Sequence, residues 1–291
     1  MFSSKNMTLT RREFERIRSL AREHAGLDLR DGKEGLVSAR LGKKVRQRGF
    51  RSFQQYCDHI AADASGEALA EMIDALTTNH TMFLREPAHF DFLRRIASAE
   101  LRGPGPIRIW SAACSTGEEP YSIAICLLEE LGPQAARRIR ILASDISTRA
   151  LEAAQEGIYA ADRFEGFPAA WLPRYFLRGE GDWKGWYRVK PELRRMLEFR
   201  RINLMEPLDG LPRFGVVFCR NVMIYFDRPT REDVIRRITA LIEPGGYLLT
   251  GHSESLLSGQ HSLEYICPAV YRKPREGAFR RRLLEGRLCV R

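Results

Sequence analysis

Ile107-Arg-Ile-Trp110-Ser-Ala-Ala-Cys-Ser-Thr-Gly117-Glu-Glu-Pro-Tyr121 is the stretch on which the reading of the fold turns. Ile107 to Trp110 is a short β-type run, the residues after it are small, and a helical segment follows from Tyr121 to Leu131. The same order returns in Ile139-Arg-Ile-Leu-Ala-Ser144, with helix-like Ser147 to Glu156 behind it. Further runs are Leu197-Glu-Phe-Arg-Arg-Ile202, Gly215-Val-Val-Phe-Cys219 and Gly246-Tyr-Leu-Leu-Thr250, with a helix from about Thr230 to Ile242 before the last. Strands alternating with helices predict an α/β fold, a doubly wound and mainly parallel sheet with helices on both faces. One stretch breaks the rhythm. Gly179, Gly181 and Gly185 punctuate Tyr175, Phe176, Trp183, Trp186 and Tyr187, which predicts a small antiparallel excursion over 173–194.

Upstream, the chain reads as helical. Thr10 and Glu13 fit a capping box before Phe14, Ile17 and Leu20 at helical spacing. Val37, Leu41 and Val45 form an i, i+4 stripe, Ser52 is placed to cap a helix carrying Phe53, Tyr56 and Ile60, and Leu69, Met72, Ile73 and Leu76 mark another. The organisation expected is an all-α domain over 1–78, the α/β domain over 79–275 and a basic tail over 276–291. A helix after Pro87, through Phe90, Leu93 and Ile96, ends before the break at Gly103-Pro104-Gly105-Pro106.

Composition bounds the function classes. At 291 residues, 44% hydrophobic and 29% charged, the chain is neither disordered nor fibrous. No apolar run approaches the ~20 residues of a membrane span, and Met1-Phe-Ser-Ser-Lys-Asn-Met-Thr lacks the apolar core of a signal peptide. No membrane insertion and a cytoplasmic location are expected. The formal charge is +10. Of this, +6 falls between Arg272 and Arg291, where eight basic residues face two acids, and Arg40, Lys43, Lys44, Arg46, Arg48 and Arg51 form a patch without acids. The six cysteines include no C-x-x-C pair and no zinc-finger spacing with His, so reduced thiols and no metal are expected.

The small residues after the first strand let a ligand approach the backbone, and the helix start beyond them offers free N–H groups. Glu118 and Glu119 at that start would repel a pyrophosphate and suit a cationic or hydroxyl-bearing ligand; equally, they are partners of the helix dipole. Asp145 ends the second strand, where an acid binds ribose hydroxyls; the competing reading is an N-cap by Asp145 or Ser147. Arg220 and Asn221 follow a strand and belong at the carboxyl edge of the sheet, and Thr77 to Glu86 is a polar stretch between helices.

Four segments together resemble the chemotaxis receptor methyltransferases, the CheR-type family. They are Asn79-His-Thr-Met-Phe-Leu-Arg-Glu86, Trp110 to Ser122, Ala143-Ser-Asp-Ile146 and Phe218-Cys-Arg-Asn-Val-Met-Ile-Tyr-Phe-Asp227; Gly251-His-Ser-Glu254 also fits. The resemblance covers about residues 10 to 272. It implies the class I S-adenosylmethionine methyltransferase fold, S-adenosyl-L-methionine as cofactor with S-adenosyl-L-homocysteine as product, and methyl esters formed on glutamates of the cytoplasmic helices of methyl-accepting chemotaxis receptors. The implied cofactor contacts are Asn79, Thr81, Arg85, Glu119, Asp145, Asn203, Leu204, Arg220 and Asn221, with the Glu118–Glu119 doublet leaving that position open. Arg85 and Tyr225 take the catalytic places, Arg85 orienting a carboxylate and Tyr225 lining the methyl position; His80 and His252 are read as scaffold. The resemblance makes the helical domain receptor-facing and the small sheet a grip for a receptor C-terminal peptide in some members, with the enzyme recruited to membrane-bound receptor arrays. The basic patch is either a solvated helix face or a surface for acidic receptor helices.

Two other functions compete. A nucleic-acid methyltransferase would suit the charge, but amino-group base methylases carry an Asp/Asn-Pro-Pro-aromatic stretch where this chain has Arg220-Asn-Val-Met; no nucleic acid is expected as partner. A non-catalytic receptor adaptor would not need Arg85, Asp145 and Asn221.

Overall fold

The computed structural model describes residues 7–101, 103–256 and 261–275. The basic tail, with Cys289, lies outside them. The chain opens with α1 (Arg11–Ala25), α2 (Glu34–Gln47), α3 (Phe53–Ala62) and α4 (Glu67–Leu76). Thr10 and Glu13 form the capping box of α1 and Ser52 caps α3 by accepting the Gln55 N–H, so these starts are set locally. The stripes at helical spacing turn inward. Phe14, Ile17, Val37, Leu41, Val45, Tyr56 and Met72 share one core, each large side chain contributing about 1.5–3 kcal/mol by burial. Ile146 and Tyr225 pack against the same core, so the helical layer is seated on the edge of the sheet that follows.

Next come α5 (Pro87–Glu100), β1 (Ile107–Ser111), α6 (Glu118–Leu131), β2 (Ile139–Asp145), α7 (Thr148–Glu156) and β3 (Ile158–Ala160). After them run α8 (Leu172–Tyr175), β4 (Phe176–Arg178), β5 (Trp186–Val189), α9 (Pro191–Arg194), β6 (Leu197–Arg201), β7 (Phe214–Cys219), α10 (Arg228–Leu241), β8 (Ile242–Thr250), β9 (Glu264–Cys267) and β10 (Val270–Arg272). The main sheet has the order β6-β2-β1-β7-β8-β10-β9. Its first five strands pair in parallel, and β10 runs antiparallel to β8 and β9. Side chains alternate between two cores. Ile109, Ile141, Val216 and Phe218 face α5 and α6, while Trp110, Leu142, Val217 and Cys219 face α10, the period-2 pattern of strands buried on both sides.

Two parts of the sequence reading change. The small antiparallel sheet has the order β3-β5-β4, so it recruits Ile158–Ala160 from outside the 173–194 excursion. The β9–β10 ribbon has no counterpart in the reading: each strand is too short to show a period, and the pairing comes from the neighbouring β8. Phe83, Tyr159, Phe164, Phe167 and Phe176 form an aromatic cluster between the small sheet and the 79–86 loop, with Phe83 stacked on Phe164 at 4.6 Å. Cys57, Cys114, Cys126 and Cys219 are buried free thiols and Cys267 is half-buried.

Candidate active site

The chain leaves β1 towards β2 on one side and returns to β7 on the other, so the strand order reverses between β1 and β7. Neighbouring loops diverge there, which opens a crevice at the carboxyl ends of the strands. A cavity of about 320 Å³ occupies it, within the ~300–1,000 Å³ of small-molecule sites. The cofactor contacts that the resemblance implies, and Tyr225, line it: Asn79, Thr81, Arg85, Glu119, Asp145, Asn203, Leu204, Arg220, Asn221 and Tyr225. Glu118 does not.

The turn after β1 is held open by contacts behind it. Gly117 has φ 97°, and a Cβ there would lie 2.8 Å from both the Ala154 Cβ and the Tyr159 hydroxyl, so only glycine fits. The Asp145 carboxylate accepts the Ser115 N–H at 2.8 Å and the Ser147 N–H at 2.9 Å, tying the ends of β1 and β2 together. Ser147, not Asp145, caps α7 by accepting the Ala150 N–H. Burial pushes the Asp145 carboxyl above the usual carboxylate range against the pull of these donors. Its remaining lone pairs are available at the cavity wall as acceptors.

The acidic doublet divides. Glu119 accepts the Ser111 hydroxyl at 2.7 Å and the Arg220 guanidinium at 3.1 Å, on the cavity side. Glu118 turns away to the Thr116 hydroxyl at 2.7 Å and lies 3.5 Å from Arg163. Burial raises both carboxyls.

Arg220 is buried between two acids, 3.1 Å from Glu119 and 3.1 Å from Glu86, and also donates to the Arg85 carbonyl. Burial opposes ionisation of Glu86, but the Arg220 charge and the Asn221 amide outweigh it and hold that carboxyl below its ordinary value. Glu86 lies in the quoted 79–86 motif, yet no sequence signal marks a role for it; its partners Arg220 and Asn221 are more than 130 residues away. Arg85 itself donates to the His80 carbonyl at 2.8 Å. His80 lies on the cavity wall and is exposed.

Left-handed backbone gathers here. Leu84, Glu86, Ser115 and Asn221 all have φ between 48° and 60°, an expensive conformation for residues with a Cβ that packed surroundings must over-determine. The 79–86 loop is pinned by Phe83 in the aromatic cluster, by Leu84 N–H donating to the Ser122 hydroxyl at 3.0 Å and by Arg163 donating to the Thr81 carbonyl at 2.8 Å.

The helical layer also builds the wall, which the sequence did not reveal. Ala25 and Leu27 line the cavity. The Asp28 N–H donates to the Tyr225 carbonyl at 2.8 Å, and Asn203 donates to the His24 carbonyl at 2.7 Å. An apolar pair at a helix end reads as ordinary core, so no sequence signal marked it. With Phe90, Ile146, Ile202, Leu204 and Phe226 the cavity carries apolar surface between its polar groups, suited to a flat ring flanked by hydroxyl and charged groups.

Glu86, His89 and His252 bring one potential ligand atom each within 4.8 Å of one another. The guanidinium of Arg220 already faces the shared carboxylate at 3.1 Å and opposes a cation there.

Residues 12–77 match a family model described as "CheR methyltransferase, all-alpha domain", and residues 79–271 match one described as "CheR methyltransferase, SAM binding domain". The chain is 41% identical over 272 residues to a protein of Pseudomonas aeruginosa called chemotaxis protein methyltransferase 2, covering 93% of this chain and 96% of that one. It is 43% identical over 253 residues to the chemotaxis protein methyltransferase of Salmonella typhimurium (87% and 86% covered) and 40% identical to that of Escherichia coli (87% of each).

Proposed function

The chain belongs to the CheR methyltransferase family, and on that premise we propose that it is a protein-glutamate O-methyltransferase. It uses S-adenosyl-L-methionine and forms methyl esters on glutamates of the cytoplasmic helices of chemotaxis receptors. The observation that carries this is the convergence of Arg85, Glu119, Asp145, Arg220, Asn221 and Tyr225 on one cavity where the strand order reverses.

The cavity fits the cofactor by the chemistry of its donors and acceptors. Asp145 offers carboxylate lone pairs for vicinal hydroxyls. Ile146, Ile202 and Leu204 offer an apolar slot for a purine, with Asn203 beside it. Glu119 places negative charge towards a ligand that is cationic, and Asn79, Thr81, Arg220 and Asn221 supply further polar contacts. When bound, S-adenosylmethionine supplies an electrophilic methyl group on a sulfonium centre.

The chain's own residues position and shield. A glutamate side chain is ionised at neutral pH, so it needs no base. Arg85 orients a carboxylate by its planar fork of donors, and Tyr225 lines the place where the acceptor oxygen approaches. In-line placement carries most of the rate. The apolar walls and the seat of α1 on the Tyr225 turn exclude water. No acid–base pair is required.

The small sheet is the second contact with the receptor. Leu177, Trp183 and Trp186 are exposed on it, with Trp183 57% accessible, and β4 is an edge strand. An extended receptor C-terminal peptide adds to such an edge by main-chain hydrogen bonds and side-chain anchors. Among the described residues no helix is long and apolar enough to cross a membrane; we place the enzyme in the cytoplasm, recruited to receptor arrays through these contacts. Calorimetric titration with S-adenosylhomocysteine tests the cofactor assignment. One site per chain is expected, and absence of binding overturns it.

A further inference from the structure

Glu254 is fully buried in the turn that follows β8, and its carboxylate accepts three backbone N–H groups. One oxygen takes Asn221 at 2.6 Å and Gly251 at 2.8 Å, and the other takes Ile224 at 3.1 Å. Its own N–H returns to the Gly251 carbonyl at 2.8 Å, closing a turn over residues 251–254. Gly251 is the residue this turn demands, since a Cβ would lie 2.6 Å from the Glu254 oxygen and 2.7 Å from the Asn221 amide nitrogen.

A buried carboxylate is costly unless its donors repay it, and none of these contacts belongs to the hydrophobic core. What they fix is the 221–225 turn. Asn221 sits at φ 58°, a left-handed conformation that needs outside support. Asn221, Val222, Ile224 and Tyr225 from this turn all line the cavity. Asn221 in turn donates to Glu86 at 3.2 Å.

We infer that Glu254 is a positioning residue for the methyl transfer: its carboxylate imposes the left-handed turn that presents Asn221 and Tyr225 to the cavity. This rests on the cofactor reading above, and it adds a residue that touches neither cofactor nor substrate. It acts on the turn through the backbone N–H groups of Asn221 and Ile224, thirty or more residues earlier in the chain.

The test is Glu254→Gln, which preserves shape but turns an amide NH2 against backbone donors. Two readouts are taken on the full-length protein. Hydrogen exchange of the peptide covering residues 219–226 is expected to accelerate at least about tenfold, while the β1 and β2 amides keep their protection. In methylation of a receptor fragment, KM for S-adenosylmethionine is expected to rise about tenfold or more with KM for the receptor fragment unchanged. A merely structural defect would lower kcat through loss of folded enzyme and leave both KM values alone. If Glu254→Gln does not fold, Glu254→Asp, which keeps the charge on a shorter arm, is read in the same two ways. Wild-type exchange in the 219–226 peptide, or a KM for the cofactor within twofold of wild type, overturns the inference. Failure of the wild-type protein to bind S-adenosylhomocysteine would instead overturn the cofactor reading, and the exchange measurement would still decide what Glu254 holds.

Discussion

The guanidinium of Arg220 lies 3.1 Å from the Glu119 carboxylate, and both side chains are buried. Glu86 meets the same guanidinium from the other side. One cation thus joins the turn after β1, the 79–86 loop and the end of β7. Removing it leaves the buried Glu119 and the half-buried Glu86 without their cationic partner, whereas removing a surface pair would matter little. Arg220→Leu is therefore expected to destabilise the protein by about 3–5 kcal/mol in urea unfolding. A loss below about 1 kcal/mol would show that the three loops hold together without it.

Asp145 is expected to govern cofactor affinity. Asp145→Asn removes a charged acceptor, and the loss should be about 10- to 100-fold in S-adenosylhomocysteine affinity by calorimetry. Burial raises the free protein's carboxyl above its ordinary value. As pH falls through that raised value, the protonated fraction grows and the charged acceptor is lost, so wild-type affinity should weaken as the carboxyl takes up its proton. Asp145→Asn should lack that limb. An unchanged pH profile in the variant would contradict the assignment.

His89 predicts an acid-labile fold. Burial, with the Arg220 and His252 charges, pushes its imidazole down from 6.5 to about 4, against the attraction of Glu86. The unfolded chain therefore binds a proton that the folded chain refuses between these two values. Stability should rise with pH across that window and be lost as pH falls from 6.5 to 4, by up to about 3 kcal/mol. His89→Phe, of similar shape and without the titration, should flatten the slope in a pH series of urea unfolding. Parallel slopes would contradict it.

The basic patch divides in the same manner as the acidic doublet. Arg40 is committed to the end of α4, donating to the Leu76 carbonyl and to the Thr78 hydroxyl at 2.8 Å. Arg48 pairs with Glu71, while Lys43 and Arg46 are exposed. Reversing Arg46 and Arg48 to Glu should slow receptor methylation about tenfold at low salt, fade as salt screens the field, and leave S-adenosylhomocysteine affinity unchanged. Unchanged methylation rates at low salt would remove the patch from receptor recognition.

The legible part of this fold was local. The strand–turn–helix around Trp110 and the acid ending β2 were readable because periodicity and position in the chain determine them. Thr10, Glu13 and Ser52 set their helix starts by contacts three residues away. What stayed hidden depends on distance along the chain. Glu254 matters through N–H groups that any residue would supply, so its partners carry no sequence signature. Ala25 and Leu27 became cavity wall only because α1 seats on the Tyr225 turn, and Ile158–Ala160 became a strand only by pairing with Trp186–Val189. The choice between Glu118 and Glu119 needed the direction of two adjacent side chains on a helix, about 100° apart, and that direction is fixed by Arg220 and Arg163.

The most direct measurement is incubation of the protein with S-adenosylmethionine labelled in its methyl group, offered receptor cytoplasmic fragments or nucleic acid. Base-labile label on receptor glutamates, strongly reduced with Asp145→Asn at limiting cofactor, is the predicted result. Label on nucleic acid, or none on receptor although the cofactor binds, would contradict the assignment.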